Sequence, residues 1–428
     1  MKNLEKKKLI LIQLNEINFD ELKKYSKNYK FKFFNKEFFE RLISTKSEER
    51  YDLLEPWIQW PSIYTGLKAD EHKILRLGDG EKKDFIEFYN IIENKGYSVG
   101  AIAPINLKCN LKSPVYFIPD PWSKTDSDNK WINKFITKII KKFVNENSSR
   151  NKSYTDYMRL LLLFIIYFRF ENFNLLFKLI KNINNHWNKA LLFEYLLNNI
   201  HIKKIKKYNP DFTSIFFNSG AHIQHHYYFN SIFNDNIKNP EWYAKKTEDP
   251  IFEMFKFYDE LLLEYNKNEK YDLILATGLR QIPYDRVKYY YRLKNHKIFL
   301  KNIFIKFKQV IPKMSRDFLI EFNTVEEAKS AEKILKNINI LNNKNIFLID
   351  LRQNSIFVTL SLNDEITENY PIKIDRNKYL NLSEFVNFIA LKNGMHDQMG
   401  YYYSSFKNPS LKDDQHVIKI FDVIKNYF

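Results

Sequence analysis

The sequence of 428 residues is poor in several things at once. It has one cysteine, 9 glycines and 13 prolines. A lone Cys109 cannot close an intramolecular bridge, so no disulfide scaffold is present and nothing in the covalent chemistry calls for an oxidising compartment. So little glycine and proline excludes collagen-like and low-complexity chains. Long hydrophobic runs are missing too. The longest, Leu160 to Phe168, lies between Arg159 and Arg169 and is about half of the roughly 20 residues needed to cross a bilayer. The apolar run near the N-terminus stops at Asn15 and Glu16, too short for the core of a secretory signal. These absences predict a cytoplasmic protein without a transmembrane segment. What is present, 44% hydrophobic and 28% charged residues, is globular composition with enough length for two or three domains.

Acidic residues are also few beside basic ones: 68 Lys and Arg against 51 Asp and Glu give a net charge of +17. Such an excess reads either as a solvated basic surface or as attraction to an anionic membrane surface or acidic glycan, with peripheral membrane contact one form of the latter. The lysines run along the whole chain, and no nucleic-acid recognition motif accompanies them, so no nucleic-acid partner is expected.

The organisation reads as α/β, a mostly parallel sheet flanked by helices. Apolar runs at Lys8 to Leu14, Ser98 to Ala103, Phe212 to Asn218 and Tyr271 to Thr277 each end in polar or glycine positions. Strand, polar loop and helix in that order build a parallel sheet whose carboxyl ends carry ligands. Residues 1–130, 208–316 and 371–428 are assigned to this core. Between them, 131–207 shows helical periodicity with almost no Gly or Pro, a helical insertion or cap, and 317–370 holds a small βαββ insertion within 317–362.

Histidine is scarce, nine in all, yet His222, His225 and His226 fall within five residues directly after a predicted strand. Spacings of three and four let any two of them reach one metal ion. His396 follows Gly394 in a predicted loop, where a glycine allows close approach to a ligand. The segment from Glu55 through Trp57, Gln59 and Trp60 sets a carboxylate, an amide and two aromatic faces before Ser62 and Thr65. It reads either as a sugar-binding surface or as core tryptophans behind a capping glutamate. Arg280, with Gln281 beside it, or Arg316 in Met314-Ser-Arg-Asp317 could grip an anion through a planar fork, or serve in ion pairs.

In chain order, Glu16, then Pro61-Ser-Ile-Tyr-Thr-Gly-Leu-Lys-Ala-Asp-Glu-His72, Asn218-Ser-Gly-Ala-His222, Ala276-Thr-Gly278 and Gly394-Met-His396 resemble the motif blocks of the alkaline phosphatase superfamily, in its type I phosphodiesterase/nucleotide pyrophosphatase and sulfatase-like branch. The resemblance covers roughly residues 8–125, 208–310 and 370–428. It implies an enzyme acting on a phosphate or sulfate ester, as hydrolase or transferase, with a glycan ester among the substrates considered. Several positions depart from the family pattern. Asn15 or Glu16 stands for its first metal-binding Asp, Asn218 for a second, Gly278-Leu279 for an Asp-His pair, and Gln59 for the nucleophile. The resemblance therefore implies one divalent metal, Zn²⁺ or Mn²⁺, on Asn218, His222 and His396, completed by Glu16; His226 joins the candidate ligands by its spacing from His222. Arg280 would stabilise charge, with Ser62, Thr65 or a bound water as nucleophile. The alternative is a protein that kept the fold, lost catalysis and binds a glycan or anion.

Overall fold

The structure, a computed structural model, describes residues 8–145, 152–313, 316–340, 344–375, 378–407 and 410–428. The chain forms two compact units, residues 1–284 with 394–428, and residues 285–393.

The first unit is built on an eight-stranded sheet. Its strands are β1 (Lys8–Leu14), β2 (Ile43–Lys46), β3 (Val99–Ile102), β4 (Tyr116–Ile118), β5 (Phe212–Phe217) and β6 (Tyr271–Ala276). After β7 (Arg280–Leu293) and β8 (Val386–Asp397), which pair only with each other, come β9 (Met399–Ser404) and β10 (Gln415–His416). The sheet order is β10-β2-β9-β6-β1-β5-β3-β4. β6, β1, β5, β3 and β4 run parallel, as do β10 and β2; β9 alone is antiparallel to both neighbours. β1 sits among the central strands and is buried from Leu9 to Leu14, which is why it reads as an unbroken apolar run: a parallel strand with helices on both faces has no solvent side.

Helices cover both faces. Those that position the site or a surface discussed below are α1 (Phe19–Asn28), α2 (Pro56–Thr65), α3 (Tyr154–Ile166), α4 (Phe173–Lys181), α5 (Ser219–Tyr227) and α6 (Pro250–Asn266). The described part of 131–207 holds helices and no strand, and Ile136, Leu191 and Ile200 from it share one hydrophobic core with β1 and β5. The segment is therefore part of the first unit's core and not a detached cap.

The second unit runs from Asp285 to Asn393, wider at both ends than the predicted 317–370. Its strand–helix–strand–strand order (Asp317–Glu321, Val325–Lys336, Phe347–Arg352, Ser355–Leu360) lies inside an antiparallel four-stranded sheet that also includes Gln309–Pro312. The N-terminal part of the extra width carries no strand signal in the sequence, since Arg286-Val-Lys-Tyr-Tyr-Tyr-Arg292 mixes charge with tyrosine and holds no apolar run. His396, placed by the sequence in a loop, lies instead near the end of strand β8. Of the anion-binding candidate at 314–317, Met314 and Ser315 lie outside the described residues; Arg316 belongs to the second unit, hydrogen-bonded to Asn363 Oδ1 at 2.9 Å and stacked over the Tyr290 ring.

Candidate active site

Strand register sets the floor of the site. Leu14 pairs with Phe217 and Gln13 with Ala276, so the polar residues that follow each strand emerge side by side at one sheet edge, where open α/β sheets bind ligands. Asn15 N–H donates to Phe217 O at 3.0 Å and Glu16 N–H to Thr277 O at 3.1 Å. Glu16 has φ +61°, a left-handed conformation that costs a non-glycine residue about 1–2 kcal/mol. Its carbonyl accepts from Gln281 N–H at 3.1 Å and Gln224 Nε2 at 2.9 Å, and these bonds hold the turn in place. Gln224 also accepts from Asn18 N–H at 3.0 Å, locking the turn to the first residue before α1.

The Glu16 side chain is buried and meets two imidazoles. Its Oε2 lies 3.1 Å from His225 Nε2, on α5, and 3.1 Å from His396 Nε2, on β8; the two nitrogens are 3.3 Å apart. Among the described residues this is the cluster of metal-ligating side chains close enough to share an ion. The triangle has the right size for one. Ligands about 2.0–2.1 Å from a tetrahedral Zn²⁺ are separated by about 3.3 Å, and neighbouring ligands of an octahedral ion at about 2.1 Å by about 3.0 Å. Two imidazoles and a carboxylate suit Zn²⁺ or Mn²⁺ and leave coordination positions open.

Each ligand atom is oriented from behind. His225 Nδ1–H donates to Gly394 O at 3.0 Å, so that loss of the Nε2 proton would free that nitrogen's lone pair for an ion; His396 Nδ1 faces Glu55 Oε2 at 3.6 Å. A ring nitrogen held by a carbonyl or carboxylate is the usual support of a metal-binding histidine. Glu16 Oε2 accepts from Gln281 Nε2, and Glu16 Oε1 from Asn15 Nδ2 at 2.8 Å. Gly394 is required for closeness: a Cβ there would stand 2.2 Å from Gln281 Oε1 and 2.8 Å from Gln224 O. Burial alone would raise the Glu16 carboxyl; His396 and His225 beside it reverse this and hold it well below the ordinary carboxylate range.

Next to this charged corner is a neutral one. Trp60 is fully buried and its Nε1–H donates to Asn15 Oδ1 at 2.9 Å, while Asn15 Nδ2 donates to Asn218 Oδ1 at 2.8 Å. An indole N–H can only donate and the Glu16 carboxylate can only accept, so the Asn15 amide has one possible orientation. Gly278, φ +73°, lies against the indole; a Cβ would be 3.3 Å from it. This corner is made of two amides, an indole and a glycine.

The structure brings Glu16 and His396 together and adds His225, which the sequence reading weighed less. His222 and His226 do not enter the triangle. His222 is exposed, with its ring 4.7 Å from that of His226. Asn218 touches the cluster only through Asn15. Ser62 and Thr65 are buried within α2: Ser62 Oγ bonds Ile58 O at 3.2 Å and His72 Nε2 at 2.9 Å, and Thr65 Oγ1 bonds Pro61 O at 2.8 Å. Neither hydroxyl is placed to attack a ligand. Gln59 and Trp60 are buried as well, with Gln59 Nε2 on Leu53 O at 2.8 Å, so a sugar-facing aromatic surface is reduced to the half-buried Trp57. Gln281 is a brace for Glu16 and not a substrate contact. Arg280 pairs with Asp397 at 2.7 Å and Asp20 at 2.5 Å and bonds the Tyr401 hydroxyl at 3.0 Å. It lines a cavity of about 200 Å³ with Asn18, Asp20 and Tyr228, its charge already matched by two carboxylates. Gln224 and Gly394 are the supports that no spacing rule singles out, since they act through backbone contacts.

No family description and no curated protein matches the chain. Among solved structures, phosphonoacetate hydrolase from Sinorhizobium meliloti 1021, in complex with phosphonoacetate, is similar over 99% of this chain and 96% of that one, with 11% identity and a TM-score of 0.44. An inactive murine ectonucleotide pyrophosphatase / phosphodiesterase 5 in complex with AMP is similar over 98% and 94%, at 10% identity and TM-score 0.40. Alkaline phosphatase from the Antarctic bacterium TAB5 is similar over 99% and 98%, at 9% identity and TM-score 0.39.

Proposed function

We propose that the chain is a phosphoester-acting enzyme that works with a single divalent metal, Zn²⁺ or Mn²⁺, held by Glu16, His225 and His396. The observation that carries this reading is the ligand triangle with edges of 3.1, 3.1 and 3.3 Å, each corner supported from behind. The substrate class rests on the motif order from Glu16 to His396.

A metal bound there would supply a Lewis acid for the negative charge that develops on a phosphoryl oxygen. The rest falls to the chain itself. Gln281 and Asn15 fix the Glu16 carboxylate, and Gly394 O fixes the His225 tautomer, so the ligand atoms are preorganised. Glu55, at the N-terminal cap of α2 and about a third exposed on its side chain, orients His396 through Nδ1 and is the nearest carboxylate able to accept a proton from an attacking hydroxyl. With Ser62 and Thr65 buried and Gln59 not a nucleophile, attack comes from water or an acceptor hydroxyl, without a covalent enzyme intermediate on α2.

The test is turnover of bis(p-nitrophenyl) phosphate, p-nitrophenyl phosphate and p-nitrophenyl sulfate by chelator-treated enzyme with and without Zn²⁺ or Mn²⁺. Metal-dependent turnover of a phosphate ester is expected, retained within a few-fold by Ser62→Ala. Failure to turn over any ester with metal bound would favour the binding-protein alternative. Loss of several orders of magnitude in Ser62→Ala would restore a covalent nucleophile.

A further inference from the structure

The net charge is unevenly spread. Residues 131–207 contain 15 Lys and Arg against 4 Asp and Glu, a net +11 of the chain's +17. The same segment carries a broad exposed apolar surface. On α3, Tyr157, Leu161 and Ile165 repeat every four residues at 54%, 50% and 64% exposure; on α4, Phe173 and Phe177 are 50% and 60% exposed; Phe170, between the helices, is 84% exposed. Inward, α3 buries Leu163, and α4 buries Leu175 and Leu179. Isolated exposed apolar residues are ordinary, but a continuous helical stripe of them marks an interaction surface. Lys178 and Lys181 are exposed on α4, whereas Arg159 of α3 is paired with Asp156 at 3.5 Å.

No single helix among the described residues is long and apolar enough to cross a membrane; α3 and Phe170–Lys181 meet the composition only as a pair bent by 105°. At 1.5 Å per residue α3 is about 20 Å long and α4 about 14 Å, short of a hydrocarbon core of about 30 Å. The bend is fastened to the rest of the unit. Arg169 is buried and paired with Glu264 of α6, Asn172 Nδ2 donates to Glu264 Oε2 at 3.2 Å, and Lys203 Nζ donates to Ile166 O at 2.7 Å. A hinge tied down by a buried ion pair cannot be the tip of a loop plunging into lipid. The outward faces, however, stay available.

We infer that α3 and α4 form a docking surface for an anionic lipid bilayer, lying in the interface with their apolar stripes at the headgroup–acyl boundary and Lys178 and Lys181 on lipid phosphates. The long basic stems reach past apolar neighbours to the headgroups, as amphipathic interfacial helices require. Charge favours lipid over a second copy of this chain: Lys178 and Lys181, exposed beside the apolar stripe, would face their own copies in a symmetric pair, whereas an anionic leaflet attracts each of them.

The experiment is sedimentation of the full chain with vesicles of phosphatidylcholine alone or with phosphatidylglycerol added, at fixed salt, alongside light scattering for self-association. The wild type should bind the anionic vesicles at least ten-fold more tightly. Lys178→Gln with Lys181→Gln should weaken that binding by about 25-fold, about five-fold for each charge, and Leu161→Ser with Ile165→Ser should lose it. These residues are exposed, so thermal melts should match the wild type; the charge variant, which removes no packing, stands as the test if the apolar one misfolds. Equal binding to both vesicle types, no binding to either, or a dimer that Leu161→Ser with Ile165→Ser dissolves would overturn the proposal.

Discussion

Two adjacent corners at the same sheet edge solve the same problem in opposite ways. At Glu16, His225 and His396, three groups that can each carry charge converge within 3.3 Å, an arrangement that an ion would complete. At Trp60, Asn15 and Asn218, every group is neutral and each hydrogen bond has a single possible direction. The second corner is closed by the protein itself: buried polar groups that satisfy one another need no ligand. The difference teaches how one side chain can serve both corners: the Asn15 amide that accepts from Trp60 Nε1–H also braces Glu16 through Nδ2. On the proposed reading the charged corner holds one metal and the neutral corner none.

The largest effect should come from breaking the charged corner. His396→Ala removes one of three protein ligands, and metal affinity should fall at least a thousand-fold, with turnover lost in parallel; titration with a fluorescent zinc chelator as competitor reads it. Trp60→Phe, which touches only the neutral corner, should leave metal affinity within a few-fold.

Next in size is Asn15→Asp, which puts a second buried carboxylate against Glu16 where a donor now stands. An uncompensated buried charge costs about 3 kcal/mol, visible as a lower urea midpoint in metal-free protein and partly recovered on adding Zn²⁺. An unchanged midpoint would mean the two corners are not coupled through Asn15. Gln281→Leu should act more gently, lowering metal affinity about 10–100-fold as loss of a supporting hydrogen bond does, while the fold is retained.

The smallest effect contrasts two buried glutamates. Burial pushes the Glu87 carboxyl up to about 8, with Lys108 opposing only weakly, whereas Glu16 is held low by its histidines. A raised folded-state pKa means stability is fully present below the unfolded value near 4.5 and is lost as pH rises toward 8. From pH 7 to 8 wild-type stability should fall by up to about 1.4 kcal/mol, and Glu87→Gln should flatten that slope in denaturation experiments.

Much of this was legible in the sequence, for reasons the corners make plain. β1, β5 and β6 announce themselves because parallel strands buried on both faces must be apolar throughout, and the polar residue after each marks the ligand edge. Glu16 and His396 could be named from that rule and from the motif order. The choice among His222, His225 and His226 could not, because the rotation of α5 is set by Gln224 and Gly220 packing beneath it and not by spacing. Ser62, Thr65 and Trp60 misled for a related reason: a hydroxyl or indole in α2 looks available until the helix's place in the core is known. The Gly394 contacts are backbone approaches, which no side-chain pattern records.

The central claim is a count, and metal stoichiometry by elemental analysis of purified protein tests it most directly. One equivalent of Zn²⁺ or Mn²⁺ per chain in the wild type, and none in His396→Ala, is the result expected from one charged corner and one neutral corner. Two equivalents in the wild type, none at all after incubation with either ion, or an equivalent that survives in His396→Ala would contradict it.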